Sequence, residues 1–264
     1  MREHIEWFKS YSQKFLTRAD EKDIPGIQMK IDHTLRVLKQ ARLICRTTHP
    51  GKELTYLCEL AALYHDLGRF PQYSRYKTMS DAISVNHALL SFKTLRKTKR
   101  LKGLSPKNRR LVLRAVFMHN RPELPQGLPP DLDYLARVLR DADKLDIMPV
   151  VIGMLKKAEN NHGIPYLNLP SDPQKYSPHV IELLRQRKRP HISQAHWSND
   201  YVLFICGWIY DMNFQATWRL VAKRGFLGVL FSMLPQTPDL LSLGEQITGD
   251  LALLAQGEKT PWET

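Results

Sequence analysis

Leu63-Tyr64-His65-Asp66-Leu67-Gly68-Arg69-Phe70 is the stretch on which the reading of this chain turns. It sets an imidazole beside a carboxylate at the end of a segment with helical apolar spacing, and a glycine follows two residues later. Consecutive residues on an ideal helix point about 100° apart, so His65 and Asp66 converge on one ion only at a helix end or a distortion. Gly68 is read as providing that end. Outward from the pair, His33 lies upstream. His87, His119 and the run Arg140-Asp141-Ala142-Asp143-Lys144-Leu145-Asp146 lie downstream, each on a segment that reads as helical. The intervals of 21 to 32 residues each fit one helix and a return. Helices connected in this way can bring all six residues to one end of a bundle, where metal sites are built from facing helices.

Helical periodicity dominates the rest of the chain and no sustained alternation marks a strand, so the predicted fold class is all-α. The apolar spacing predicts helices over 3–19, 27–46, 54–66, 80–98, 106–119, 131–145 and 147–159. A C-terminal set follows over 178–188, 199–222, 225–234 and 239–255. Start signals support several of them: Ser80-Asp81, Ser105 before Pro106, Pro130-Asp131, and Thr237 before Pro238 and Asp239. The Pro- and Gly-bearing stretch from Gly163 to Pro178 is the best internal boundary. The expectation is one all-helical domain over 1–264, with a metal-bearing core over about 27–158 and further helices over about 175–256.

The net charge of +13, from 39 Lys and Arg against 26 Asp and Glu, implies a surface that attracts anions. Much of the excess lies between Lys93 and Arg114, a stretch with no acid and no aromatic residue. A solvated basic face is the favoured reading there. A nucleic-acid partner is the less favoured one, because nothing is interleaved to stack on bases. Cys45, Cys58 and Cys206 form no CxxC pair and are read as small core residues in a reduced compartment. The N-terminus is too polar for a signal peptide, and the longest apolar run, 201–210, is far short of a membrane span. A cytoplasmic protein without membrane partners is expected.

Imidazole and carboxylate ligands without thiolate suit Zn, Mn, Fe, Ni or Co. His33, His65, Asp66 and Asp143 suffice for one divalent ion. His87 and His119 would supply a second, with Asp66 bridging. Two ions so placed activate a water for attack on phosphorus, the chemistry of two-metal phosphatases and nucleases. His4, His49, His162, His179, His191 and His196 have no spaced partner and read as ordinary surface or core residues.

The order His33, His65-Asp66, His87, His119, Asp143 resembles the HD-domain metalloenzyme superfamily. Its pattern is H…HD…D, with extra histidines in binuclear members. Leu63-Tyr64-His65-Asp66-Leu67-Gly68-Arg69-Phe70 resembles the family's HD helix, and Arg140-Asp141-Ala142-Asp143-Lys144-Leu145-Asp146 its second acidic helix. The likeness covers roughly residues 27 to 150, and the HDLGRF segment is similar to that of bacterial HD proteins labelled hydrolases or phosphohydrolases. It implies an HD helical bundle with additional C-terminal helices and selects Asp143, rather than Asp141 or Asp146, as the ligand. It also sets Arg69 where HD-GYP relatives carry a lysine, so Arg69 is read as a phosphate anchor. His119-Asn120 stands where that group has adjacent histidines, and the GYP signature is absent, so cleavage of cyclic dinucleotides is not expected. No acid follows Asp66 where the mononuclear nucleotide hydrolases place one, which favours two ions.

The sequence thus predicts a metal-dependent phosphohydrolase acting on a small anionic phosphomonoester or phosphodiester, nucleotides included. Asp66, Arg69 and Asp143 are the predicted catalytic residues, and Arg69, Asn120, Arg121 and Lys144 the predicted substrate contacts. The competing readings are a di-iron HD oxygenase and a non-catalytic HD protein that binds nucleotide or nucleic acid.

Overall fold

The structure is a computed structural model, in which residues 1–159 and 169–257 are described. All regular elements among them are helical. The chain divides into two compact units, Met1–Asp146 and Ile147–Thr264. No helix is long and apolar enough to cross a membrane among the described residues.

The first unit is built around a helix buried on nearly all sides. Helix α1 (Arg2–Leu16) precedes α2 (Ile24–Thr48), which has Pro25 in its first turn and buries Ile27, Ile31, Val37, Leu38, Ala41 and Ile44 along one face. Helix α3 (Lys52–Tyr64) buries Leu57, Cys58 and every residue from Leu60 to Tyr64. An all-round apolar surface needs neighbours on every side, and α1, α2 and α6 (Pro106–Met118) supply them. Between α3 and α6 come the short α4 (Arg69–Tyr76) and α5 (His87–Thr98), with α5 packed on both α4 and α6. Helix α7 (Pro130–Glu159) buries Leu132, Leu135, Ala136, Leu139, Ala142 and Leu145 at helical spacing.

Two boundaries differ from expectation here. The helix predicted over 80–98 begins at His87, where the Asn86 side chain accepts from the Leu89 amide at 2.9 Å. Ser80 does not cap it; the Asp81 carboxylate accepts the His87 amide at 3.4 Å from outside the helix and is also turned toward the His87 ring, Arg69, Gln72 and Asn120. Residues 131–145 and 147–159, predicted as two helices, form one, with Pro149 inside it. A proline inside a helix costs about 3 kcal/mol, yet the buried residues Leu145, Met148, Val151, Ile152 and Leu155 keep one register across it.

The second unit contains α8 (Pro178–Arg185), α9 (Ser198–Cys206), α10 (Gln215–Lys223), α11 (Phe226–Ser232) and α12 (Pro238–Gln256). Helix α12 starts on the expected signal: Thr237 accepts from the Leu240 amide and Pro238 occupies the first turn. The helix predicted over 199–222 is broken by a tight turn at Gly207–Asp211 and extended backbone at Met212 and Phe214. The Trp218 indole donates to the Ile209 carbonyl across that break at 2.9 Å. Buried Asp200 gathers the Ser177 amide and hydroxyl and the His196 and Trp197 amides, closing the start of α9. Cys45, Cys58 and Cys206 are buried and free. His162 and residues 163–168, the first part of the predicted Gly163–Pro178 boundary stretch, lie outside the described residues.

Candidate metal centre

Five segments of the first unit deliver the six candidate ligands to one place. His33 projects from α2, His65 and Asp66 follow the last residue of α3, His87 opens α5, His119 directly follows α6, and Asp143 stands on α7. His33 and His65 are fully buried, Asp66, His87 and His119 nearly so, whereas the Asp143 side chain is 31% exposed and marks the open side.

Asp66 is the hub, with one oxygen facing each half of the centre. Its Oδ2 lies 3.7 Å from His33 Nε2 and 3.6 Å from His65 Nε2. Its Oδ1 lies 3.5 Å from His87 Nε2 and 3.8 Å from His119 Nε2. Asp143 Oδ1 closes the first half, 3.1 Å from His33 Nε2 and 3.8 Å from His65 Nε2. In the second half the Nε2 atoms of His87 and His119 approach to 3.0 Å. Two ligand atoms each about 2.1 Å from one ion stand roughly 3.0 to 3.8 Å apart at coordination angles of about 90° to 130°, so the spacing is compatible with a shared cation in each half. Sets His33–His65–Asp143 and His65–Asp66–His119 each have ligand atoms within 4.8 Å of one another.

The opposite edge of every ring is already committed. His33 Nδ1 donates to Asp146 at 2.7 Å, His65 Nδ1 to the Ala62 carbonyl at 2.8 Å, His87 Nδ1 to Asp81 at 2.6 Å and His119 Nδ1 to the Val116 carbonyl at 2.7 Å. With the proton held at Nδ1, the Nε2 lone pair of all four imidazoles faces inward, the tautomer a metal ligand requires. His33 Nε2, His65 Nε2, Asp66 Oδ1 and Arg69 Nε are buried without a hydrogen-bond partner. Leaving buried polar atoms unsatisfied costs about 1–3 kcal/mol each; a divalent cation in the first half would satisfy the two imidazole nitrogens, and one in the second half Asp66 Oδ1.

The protonation states point the same way at every candidate ligand except His33. Burial pushes His87 and His119 down to about 4, with the charge of His65 adding at His119, and burial also lowers His65. Burial opposes the charge of Asp66, but Lys30, His65, Arg69 and His87 hold it well below the usual carboxylate range. Asp143 is likewise held low against burial, by its hydrogen bond to His33 and the charges of His65 and His33. His33 alone rises: burial and Lys30 lower it, and Asp143 and Asp146 more than reverse them. Neutral imidazoles and ionised carboxylates are the forms in which such groups bind metal.

The predicted substrate contacts are less uniform. Arg69 is 15% exposed and its Nη1 is fixed by Gln72, the Met79 carbonyl and Asp81, while its Nε stands 3.5 Å from Asp66 Oδ1. Asn120 donates to Asp81 Oδ2 at 3.1 Å. The exposed Arg121 lies over the Phe117 ring at 5.3 Å, and Lys144, half-buried, follows Asp143 on α7. Of the other described histidines, His4 bonds Tyr64 and Tyr56, His49 ends α2 in a left-handed conformation, His191 caps a tight turn, and His179 neighbours His196.

Sequence reasoning missed three residues here. Lys30 is buried one helical turn before His33, with its ammonium 2.9 Å from Asp66 Oδ2. Arg36 grips Asp146 with two hydrogen bonds of 2.7 and 3.1 Å and so braces the carboxylate behind His33. Asp81 collects Arg69 and Gln72 on Oδ1, and His87 and Asn120 on Oδ2. The i−3 and i+3 spacing of Lys30 and Arg36 from His33 was a usable signal, since such residues share a helix face. Asp81 opens a tight turn, Asp81–Ile83, and the sequence marks it only as a helix-start signal. Asp146, passed over as a ligand in favour of Asp143, stands behind His33.

Residues 31–148 match the family model described as the HD domain. A search of curated proteins and a search of solved structures return no match.

Proposed function

This chain belongs, through residues 31–148, to the HD-domain superfamily of metal-dependent hydrolases, and from that premise we propose that it is a phosphohydrolase cleaving a phosphomonoester or phosphodiester of modest size, nucleotides included. The observation that carries the proposal is the placement of Asp66 between two sets of inward-facing Nε2 atoms. His33, His65, Asp66 and Asp143 would hold one divalent ion, and His87 and His119, sharing Asp66, a second. Nitrogen and oxygen donors without thiolate suit Mn, Fe, Co, Ni or Zn. When bound, such ions polarise a phosphoryl oxygen and make a water acidic enough to ionise near neutrality.

The chain's own groups do the remaining work. Asp143, on the open side, orients the attacking water and accepts a hydrogen bond from it. Arg69, its Nη1 anchored, presents the rest of its guanidinium to the charge that develops on phosphorus-bound oxygen. As an arginine it stabilises that charge without releasing a proton, so the leaving group takes its proton from solvent. Asn120, Arg121 and Lys144 serve the remainder of the anion.

The deciding test is elemental analysis of the purified protein, followed by a phosphoester panel with the metal found. We expect one or two divalent ions per chain and phosphate release that a chelator abolishes and the same metal restores. Iron together with O₂ consumption and no phosphate release would replace this reading with oxidative chemistry.

Asp81→Asn is expected to lower turnover by roughly 10- to 100-fold and to weaken metal binding on the His87 side, the usual scale for groups that orient metal ligands. An amide in place of the carboxylate must turn its NH₂ toward either the Arg69–Gln72 pair or the His87–Asn120 pair, all of them donors. Calorimetric metal titration of the variant measures the effect, and an unaltered isotherm would rule the role out.

A further inference from the structure

Helices α5 and α6 form a hairpin whose closed end lies away from the metal centre. Lys99 is twelve residues beyond His87, about 18 Å along a helical rise. At this end Leu95, Arg96, Lys99, Leu101, Lys102, Arg109 and Leu113 line a cavity of about 340 Å³. Leu95 and Leu101 are buried and form an apolar floor. The four cations stand on its walls without an acid between Lys93 and Arg114 to offset them. Acids on neighbouring elements are already engaged: Glu3 with Arg100, Asp131 with Lys107, and Glu53 with Asn108. Arg96 lies over the Phe92 ring at 5.6 Å, and among the described residues Lys99, Lys102 and Arg109 have no ion pair or side-chain hydrogen bond. Lys99 also adopts φ +53° at the end of α5, a left-handed position where a side chain costs about 1 kcal/mol and glycine is favoured.

Four like charges around one concavity repel one another, and an anion of similar charge removes that repulsion. We infer that this cavity binds a polyphosphate anion with three or more negative charges, at a site separate from the metal centre. The shape selects a compact ligand, because no aromatic side chain lines the cavity to stack the bases of a nucleic-acid strand. The shared chemistry is a chain of phosphates, either free or carried by a nucleoside.

The test uses the full chain freed of metal by chelation, with inorganic tripolyphosphate and adenosine triphosphate as probes in calorimetry. Tripolyphosphate is expected to bind one to one, and at least tenfold more weakly to the double variant Lys99→Gly, Arg109→Gln. Lys99→Gly removes the cation and relieves the backbone, so an unchanged or raised Tm shows that lost binding is not lost folding. Asp66→Asn should bind as the parent does, which keeps this inference independent of the phosphohydrolase proposal. Equal affinity for the two probes assigns the site to phosphates alone, and tighter nucleotide binding assigns it to a nucleoside polyphosphate. Parent-like affinity in the double variant, dependence of binding on metal, or displacement by a single-stranded oligonucleotide with steep salt dependence would overturn it.

Discussion

Asp66→Ala is expected to remove both bound metal and turnover, and to destabilise the protein by about 3–5 kcal/mol, the scale for breaking a buried ion pair from one side. The two losses have different origins. Asp66 is the one side chain with an oxygen toward each half of the centre, so its removal disables both. The stability loss arises at Lys30, which is buried and would lose the carboxylate 2.9 Å away. Adding Lys30→Met should therefore recover most of the stability without recovering metal. Asp66→Asn, which preserves shape, should keep the fold and still lose turnover. Thermal unfolding beside elemental analysis and a phosphoester assay separates the effects. Full metal content and activity in Asp66→Ala would sink the assignment of the site.

Gly68→Ala should cost about 3 kcal/mol, the upper end of overpacking penalties, and lower Tm by roughly 10 °C. A Cβ at this position would stand 2.4 Å from the His87 carbonyl oxygen and 2.5 Å from the Ser91 amide nitrogen. Both are backbone atoms of α5, so relief requires the helix to move, and His87 moves with it. Metal binding should fall along with stability. Gly103→Ala is the control, since its Cβ would meet nothing within 4 Å and φ there is not positive; a change within about 0.5 kcal/mol is expected for it. Equal melting temperatures for the two variants would refute the close-approach argument.

That glycine also shows where sequence reasoning reached the right place for an incomplete reason. Gly68 was read as the residue that ends the helix and frees His65 and Asp66, and α3 does end at Tyr64. Yet Gly68 itself has ordinary right-handed backbone, φ −70° and ψ −20°. Its small size is needed because α5 crosses against it, and its amide donates to Ser91 Oγ at 2.8 Å. The convergence of His33, His65, Asp66, His87, His119 and Asp143 was legible because each sits at a fixed phase on a helix or at its end, and helical phase is written in the spacing of apolar residues. What escaped was set by tertiary partners. Helix α4 has eight residues and buries only Phe70 and Gln72, too few to display a period. The loop before α5 read as helix because nothing local marks Asp81 as the carboxylate behind His87. Residues 199–222 read as one helix because the apolar pattern runs on through the break at Gly207–Asp211.

Lys30 has a meaning beyond its neighbours. A cluster of carboxylates waiting for a divalent ion would ordinarily repel itself open, leaving the polypeptide dependent on its cation to mature. Here a covalently tethered positive charge already rests against the central carboxylate, and the four imidazoles are already turned inward by groups behind them. If the proposed metal centre holds, stripping the metal with a chelator should therefore leave the fold intact, which thermal unfolding with and without chelator would check.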